Sequence, residues 1–273
     1  MTSATTTEPG ALTERPALTE RHGNVLLVTI NRPAARNAVN AAVSEGVGGA
    51  LELAENDPEI RVVVLTGAGD KSFCAGADLK ALSRGENTYA PGHAEWGFAG
   101  FVKHYISKPV IAAVNGTALG GGTELALAAD LVVAAESASF GLPEVKRGLI
   151  AGAGGAFRLP AQIPQRLAME MMLTGDPISA ATAKEYRLIN DVVPDAELLD
   201  AALTLAERIS VNAPLAVQAS KRVALGVDDG EITSERSKWA RSEAQWRTLL
   251  TSEDAKEGPL AFAEKRAPVW KSR

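Results

Sequence analysis

Hydrophobic positions along the chain fall into two kinds of run, and the changes between them outline the fold. Val25-Leu26-Leu27-Val28-Thr29-Ile30 is a short aliphatic and β-branched run, the pattern of a buried strand. His22-Gly23-Asn24 before it predicts a hairpin turn from a strand near Leu18. Asn31-Arg32-Pro33 ends the strand, because proline cannot donate to a ladder. From residue 38 to about 56 the period changes, and Val39, Val43, Val47, Leu51 and Ala54 recur on one face of a helix. Gly46, Gly48 and Gly49 oppose that helix by up to about 1 kcal/mol each relative to alanine. Asn56-Asp57-Pro58 stops it. Three more elements follow the strand pattern: Arg61 to Thr66, Val110 to Val114, and Leu131 to Ala135 after a predicted helix over 122–129. Strand, glycine turn and helix in repetition predict parallel strands joined by right-handed crossovers. Beyond about residue 155 helical spacing dominates, in Leu198, Ala202, Leu205, Ala206 and Ile209 and again from Ile232 to Arg266. The expected organisation is α/β, with an N-terminal tail over 1–16, a β/α core over 17–195 and a helical region over 196–273. Trp239, Trp246 and Trp270 lie in that last region, where large aromatics call for burial within the chain or between subunits.

Composition narrows the function classes. With 273 residues, 46% apolar and 22% charged, the chain is an ordinary globular one that needs no staples. Cys74 is the only cysteine, which excludes an internal disulfide and a cysteine-based zinc site and suits a reducing, cytoplasmic setting. The net charge is −5 and no segment is dense in Lys and Arg, so no nucleic-acid partner is expected. Apolar runs reach about five residues, far below the roughly 20 that span a bilayer, so no membrane partner is expected either. The first ten residues lack the basic start and apolar stretch of a signal peptide and read as a mobile tail.

Glycine clusters mark where chemistry is to be sought. Gly120-Gly121-Gly122-Thr123-Glu124 lies between a strand and a helix. Unsatisfied amides at a helix start can receive a phosphate or a developing oxyanion. The segment is neither a Walker A loop nor a dinucleotide fingerprint. From spacing alone, Glu124 is either a helix-start carboxylate favoured by the dipole or a reacting group. In Phe140-Gly141-Leu142-Pro143-Glu144 a proline stiffens the loop that presents Glu144, which is either solvated or convergent with Glu124. Two carboxylates in different environments can divide acid and base roles. In Ser72-Phe73-Cys74-Ala75-Gly76-Ala77-Asp78-Leu79-Lys80 small residues again free the backbone. Cys74 has no histidine partner nearby and reads as a small buried residue, Asp78 as a helix cap, and Lys80 as helix surface or a phosphate partner.

These segments, with Asn31-Arg32-Pro33-Ala34-Ala35-Arg36-Asn37-Ala38 and Pro109 to Gly116, occur in the order and spacing of the enoyl-CoA hydratase (crotonase) family, which the chain resembles from about residue 17 onward. The resemblance implies a spiral of repeated ββα turns with a helical C-terminal oligomerisation region, whose helices pack on neighbouring subunits to give homotrimers or homohexamers. It implies an acyl-CoA thioester substrate and no other cofactor or metal, coenzyme A arriving as part of the substrate. By the same resemblance, Ala77 and Gly121 supply the oxyanion-hole amides. Glu144 handles the α-carbon proton and Glu124 holds and activates the water, as in hydratases that keep both glutamates. Ala34, Arg36, Ala75, Asp78, Leu79 and Lys80 line the CoA path, and the Gly152 amide helps seat the water. Two departures stand out: Ala151 replaces a proline common in the family, and Ala34 replaces a lysine. The segment Ser252 to Lys271 is similar to the carnitinyl-CoA dehydratase branch, so the implied activity is reversible hydration of a 2-enoyl-CoA, with carnitinyl-CoA dehydration or double-bond isomerisation as alternatives. That branch often has a tryptophan where Ala77 stands. A trimethylammonium group would want an aromatic face or a carboxylate, and Trp96 reads either as that face or, by preference, as a structural tryptophan.

Overall fold

A computed structural model describes residues 15–273. All but the last two residues of the expected N-terminal tail lie outside the described residues. The chain runs β1 (Ala17–His22), β2 (Val25–Ile30), α1 (Ala41–Asn56), β3 (Val62–Gly67), β4 (Ser72–Cys74), α2 (Leu79–Ser83), β5 (Val110–Val114), β6 (Thr117–Leu119), α3 (Gly121–Ala128), β7 (Leu131–Ala135) and β8 (Ser139–Gly141). It continues with α4 (Gly155–Gln162), α5 (Gln165–Thr174), β9 (Ile178–Ser179), α6 (Ala180–Glu185), β10 (Asp191–Val193), α7 (Leu198–Ser210) and α8 (Pro214–Leu225). A short hairpin, β11 (Val227–Asp228) and β12 (Glu231–Ile232), precedes α9 (Arg236–Leu250) and α10 (Glu253–Ala263).

The strands form a large sheet in the order β1-β2-β3-β5-β7-β10 and a small one in the order β4-β6-β8-β9. Pairs are parallel except β1 with β2 and β8 with β9. Successive passes of the chain therefore give one strand to the large sheet, one to the small sheet and then a helix, as in β3-β4-α2 and β5-β6-α3. That is the expected spiral of ββα turns. The central strands are buried on both faces, which is why they read as unbroken aliphatic runs.

The structure also explains where helix α1 departs from its pattern. It starts at Ala41 rather than 38, because the Asn40 side chain caps it by accepting from the Val43 N–H at 3.1 Å. Val39 is instead held extended in a bridge to Ala77. All five residues of the apolar stripe are buried. Gly48, which argued against a helix, is required by packing: a Cβ there would overlap the Trp96 indole.

Three of the C-terminal helices, α7, α9 and α10, pack on their own chain. α7 lays Leu198, Ala202 and Ala206 into the core formed by the large sheet. The α9 tryptophans sit on the turn between β8 and α4, with the Trp246 and Trp239 rings 3.0 and 3.1 Å from the positions a Cβ would take at Gly152 and Gly154. α10 presses on the loop after β8, so closely that a Cβ at Gly148 would overlap the Asp254 carbonyl and one at Gly258 the Arg147 carbonyl. Trp239 and Trp246 thus gain their partial burial within the chain, while Trp270 stays 42% exposed.

Candidate active site

Two tight turns meet at one end of the small sheet. Gly76, in the turn from β4 to α2, adopts φ +88, a left-handed conformation open to glycine. A Cβ there would lie 3.3 Å from the Gly121 nitrogen and 3.2 Å from the Leu119 carbonyl oxygen, so the β4–α2 turn and the start of α3 touch through bare backbone. The bridge beside Ala77 is made by Val39 N–H to the Gly76 oxygen (2.9 Å) and Asp78 N–H to the Val39 oxygen (2.8 Å). These bonds step over Ala77 and leave its N–H outside the ladder. Gly121 opens α3, so its N–H has no acceptor one turn back and sits at the positive end of the helix. Two backbone donors from adjacent turns can receive a carbonyl oxygen that becomes negative.

Around this turn each of the other expected positions has a definite place. Asp78 caps α2 by accepting from Lys80 N–H (3.0 Å) and Ala81 N–H (3.2 Å), and it pairs with Arg32 at 2.9 Å. Burial works to raise its carboxyl, but the Ala81 N–H and the Arg32 guanidinium outweigh it and hold Asp78 below the usual range. Leu79 and Lys80 are exposed on α2. Arg36 is exposed, and its carbonyl accepts from Ala75 N–H at 3.1 Å, which brings the exposed Ala34–Arg36 turn beside Cys74–Asp78. Cys74 is fully buried, and burial pushes its thiol up to about 12, which removes it as a nucleophile at neutral pH.

The two glutamates flank the same turns. Glu124 lies on the first turn of α3 and is 3% exposed. Its Oε1 accepts from the Gly155 N–H at 2.8 Å, and the nearby Ala153 amide also favours its charged form. Burial first, and the charge of Glu144 second, raise the Glu124 carboxyl far above the usual range, against the two amides and Arg158, which lower it. Glu144 stands on the turn Pro143–Arg147 after β8. Its Oε2 is sealed from solvent without a hydrogen-bond partner, and its Oε1 lies 3.0 Å from where Gly120 would carry a Cβ. Burial raises this carboxyl too. The carboxyls that sequence left open are thus both part of one site, and neither is a solvated surface group. Two neighbouring like charges, one buried and one half-buried, disfavour joint ionisation, so the pair titrates as a unit. Gly152 belongs to the turn that holds Glu124, beneath Trp246, but the amide bonded to the carboxylate is that of Gly155. The turn lacking the family's proline is closed by Ala156 N–H to the Ala151 oxygen at 3.2 Å.

One feature of the site escaped sequence reasoning, and one candidate finds its place only in the fold. Arg158 and Glu235 form a bidentate pair at 2.8 and 2.7 Å behind the turn that grips Glu124. No motif announces it, since the partners are 77 residues apart. The Trp96 indole, considered as a cation-binding face, is stacked between His93 (ring centroids 3.9 Å) and His104 (4.6 Å), nearly parallel to both. Imidazoles occupy its faces.

The enoyl-CoA hydratase/isomerase family profile matches residues 20–273. A carnitinyl-CoA dehydratase of Salmonella typhi is 46% identical over 259 residues, 93% of this chain and 97% of its own length. The crystal structure of a carnitinyl-CoA hydratase from Mycobacterium avium superposes with a TM-score of 0.94 at 68% identity, covering 95% of this chain and all (100%) of that one. An enoyl-CoA hydratase from Mycobacterium tuberculosis H37Rv gives 0.74 at 48% identity, with 95% and 100% coverage. Among the described residues no helix is long and apolar enough to cross a membrane. The spiral of ββα turns is the crotonase fold, and with relatives this similar over nearly their whole length the chain belongs to the enoyl-CoA hydratase/isomerase family.

Proposed function

We propose that the protein adds water reversibly across the 2,3-double bond of an enoyl-CoA thioester, giving a 3-hydroxyacyl-CoA. The observation that carries this reading is the convergence of buried Glu124 and half-buried Glu144, both with raised carboxyl pKa, on the turns that present the Ala77 and Gly121 amides. The thioester oxygen accepts from those two N–H groups. As the water oxygen bonds to C3, the C2–C3 double-bond electrons shift to C1–C2 and the carbonyl pair moves onto the thioester oxygen, giving an enolate that the two N–H groups hold. Glu124 takes a proton from the water and Glu144 delivers one to C2, so the pair ends the turnover with its proton exchanged between partners. The residues needed are all in the chain, and the chemistry as written calls on no metal or redox cofactor. Arg36 and Lys80 supply positive charge for the CoA phosphates, with Ala34, Ala75, Asp78 and Leu79 along the path. In a chain of net charge −5 such binding relies on local positives. Gly152 would help seat the water.

The assembly proposed is a homotrimer or homohexamer. Its support is α8, which buries none of its residues and leaves Leu215 77% and Val223 83% exposed. A stable monomer in sedimentation at micromolar concentration would refute it.

The names of the relatives favour a second reading within the same chemistry, dehydration of carnitinyl-CoA. One assay separates them. Purified protein with crotonyl-CoA should bleach the conjugated enoyl-thioester absorbance, and a much higher kcat/KM with crotonobetainyl-CoA would assign the acyl preference to the trimethylammonium compound. Binding of a panel of enoyl-CoAs without turnover would overturn the hydratase reading in favour of a binding protein.

A further inference from the structure

Arg158 carries a charge that the reaction as proposed does not use. It stands on the first turn of α4, three residues after Gly155, and is only 8% exposed. Its Nε and Nη2 donate to Glu235, and Nη2 donates also to the Val102 carbonyl at 2.8 Å. The Trp239 indole N–H donates to the same Glu235 carboxylate at 3.2 Å. Nη1 is sealed from solvent without a hydrogen-bond partner and lies 3.3 Å from where Gly154 would carry a Cβ, so it faces the turn that grips Glu124. A buried ion pair loses on desolvation about what it gains in attraction, and apolar groups of the same volume would pack as stably. Stability alone therefore gives no reason for this pair here.

We infer that Arg158 is a positioning residue for Glu124: its buried guanidinium, counterweighted by Glu235 from the C-terminal region, sets the electrostatic field in which Glu124 takes and releases its proton. The inference deepens the proposed function and rests on its reading of Glu124 as a proton carrier. The charged and titratable groups facing Glu124 are Glu144 from the turn after β8, Arg158 from α4, and Tyr89 from the segment after α2. Burial, with Glu243 and Glu124 nearby, raises the Tyr89 phenol and keeps it neutral in the working range. Arg158 in turn meets Glu235 and the Trp239 ring, and Lys103, over that ring at 4.6 Å, is paired with Glu243. The signs follow. Removing the Arg158 charge deprives the Glu124 carboxylate of its attraction and leaves Glu235 unneutralised, so Glu124 holds its proton to higher pH. Removing the Glu235 charge leaves Arg158 unopposed, and Glu124 loses its proton at lower pH. A purely structural pair cannot produce opposite shifts, because both substitutions break the same contact.

The test compares Arg158→Gln, Arg158→Lys and Glu235→Gln with the parent protein by kcat/KM against pH and by melting temperature. The Glu124 carboxyl band is titrated in parallel by difference infrared spectroscopy referenced to Glu124→Gln, a readout that needs no turnover. The expected result is a move of profile and band upward by about one pH unit in Arg158→Gln and downward in Glu235→Gln, with Arg158→Lys close to the parent. Shifts in the same direction, or unmoved midpoints with only a lower melting temperature, overturn the inference. If Arg158→Gln fails to fold, Glu235→Gln and Arg158→Lys decide on the same measures. If the parent protein hydrates no enoyl-CoA, the hydratase reading falls, and the infrared titration still decides whether Arg158 governs Glu124.

Discussion

The backbone N–H of Gly155 donates to Glu124 Oε1 at 2.8 Å across 31 residues of chain. Gly155 is the first residue of α4, so Glu124 draws on a donor that the helix itself leaves unused. The carboxyl is buried, yet its ionised form has a fixed partner and the positive end of a helix behind it. That balance suits a group that must gain and lose a proton in each turnover.

Replacing the two glutamates tests the chemistry directly. Glu124→Gln and Glu144→Gln should each lower kcat by about 10²–10⁴ with a smaller effect on KM, since the CoA contacts lie elsewhere. The double substitution should cost far less than the product of the singles, because the pair acts as a unit. Near-normal kcat in Glu144→Gln would refute its acid/base role, and near-normal kcat in Glu124→Gln alone would point to an isomerase working with one glutamate.

The same substitutions have a consequence for stability. Both carboxyls are raised by burial above the value near 4.3 of an exposed glutamate. The folded state holds protons that the unfolded chain releases, so the stability they contribute is complete below about pH 4.3 and is lost as pH rises through the raised values. Glutamine escapes that loss. The melting temperature of each Glu→Gln variant, minus that of the parent, should rise between about pH 5 and pH 8, by roughly 2–4 °C for each kcal/mol recovered. A difference that stays flat or falls with pH would show that these carboxyls are not raised.

Gly76→Ala should separate backbone strain from damage to the oxyanion site. At φ +88 an alanine costs about 1–2 kcal/mol, and its methyl would wedge against Gly121 and Leu119. Loss of an oxyanion donor typically lowers kcat by about 10²–10³, and a comparable fall is expected here. Gly23→Ala, at φ +58 with nothing within 4 Å in the hairpin turn, provides the control: a lower melting temperature and normal kcat. Equal kcat in the two variants would remove the Gly76–Gly121 contact from the catalytic account.

Trp96→Leu asks whether that indole recognises a cation. With imidazoles against both faces, its loss should cost about 2–3 kcal/mol of stability. The ratio of kcat/KM between trimethylammonium-bearing and neutral enoyl-CoAs should stay unchanged. Collapse of that ratio would mean that substrate displaces one of the histidines.

Strands at Val25–Ile30, Val110–Val114 and Leu131–Ala135 were legible residue for residue, because strands buried on both faces consist of uninterrupted aliphatic runs. The small sheet was not, since two or three residues carry no period. Glu124 and Glu144 stood out by what precedes them, glycines in one case and a proline in the other, and by the family resemblance. Whether they meet depends on the spiral that stacks one ββα pass on the next. Arg158 and Glu235 each look like a surface charge within their own helical segments, and only the folded chain pairs them. Gly48 misleads for the same reason: what it accommodates, Trp96, lies in a segment with no motif of its own.

The contact between α10 and the loop after β8 has a practical side. Arg273 closes back on Glu253, its carbonyl accepting the Glu253 N–H at 2.6 Å, and the Asp254 carboxylate receives the Lys271 N–H at 2.6 Å. The Asp254 carbonyl rests against Gly148, on the loop that bears Glu144. A perturbation of residues 271–273 therefore loads the wall of the active site, whereas one in β1 reaches only the outer strand of the large sheet. Charge-reversing substitution of Asp254, which holds the 271–272 amides, is therefore expected to lower specific activity more than substitution of an exposed β1 residue such as Glu20.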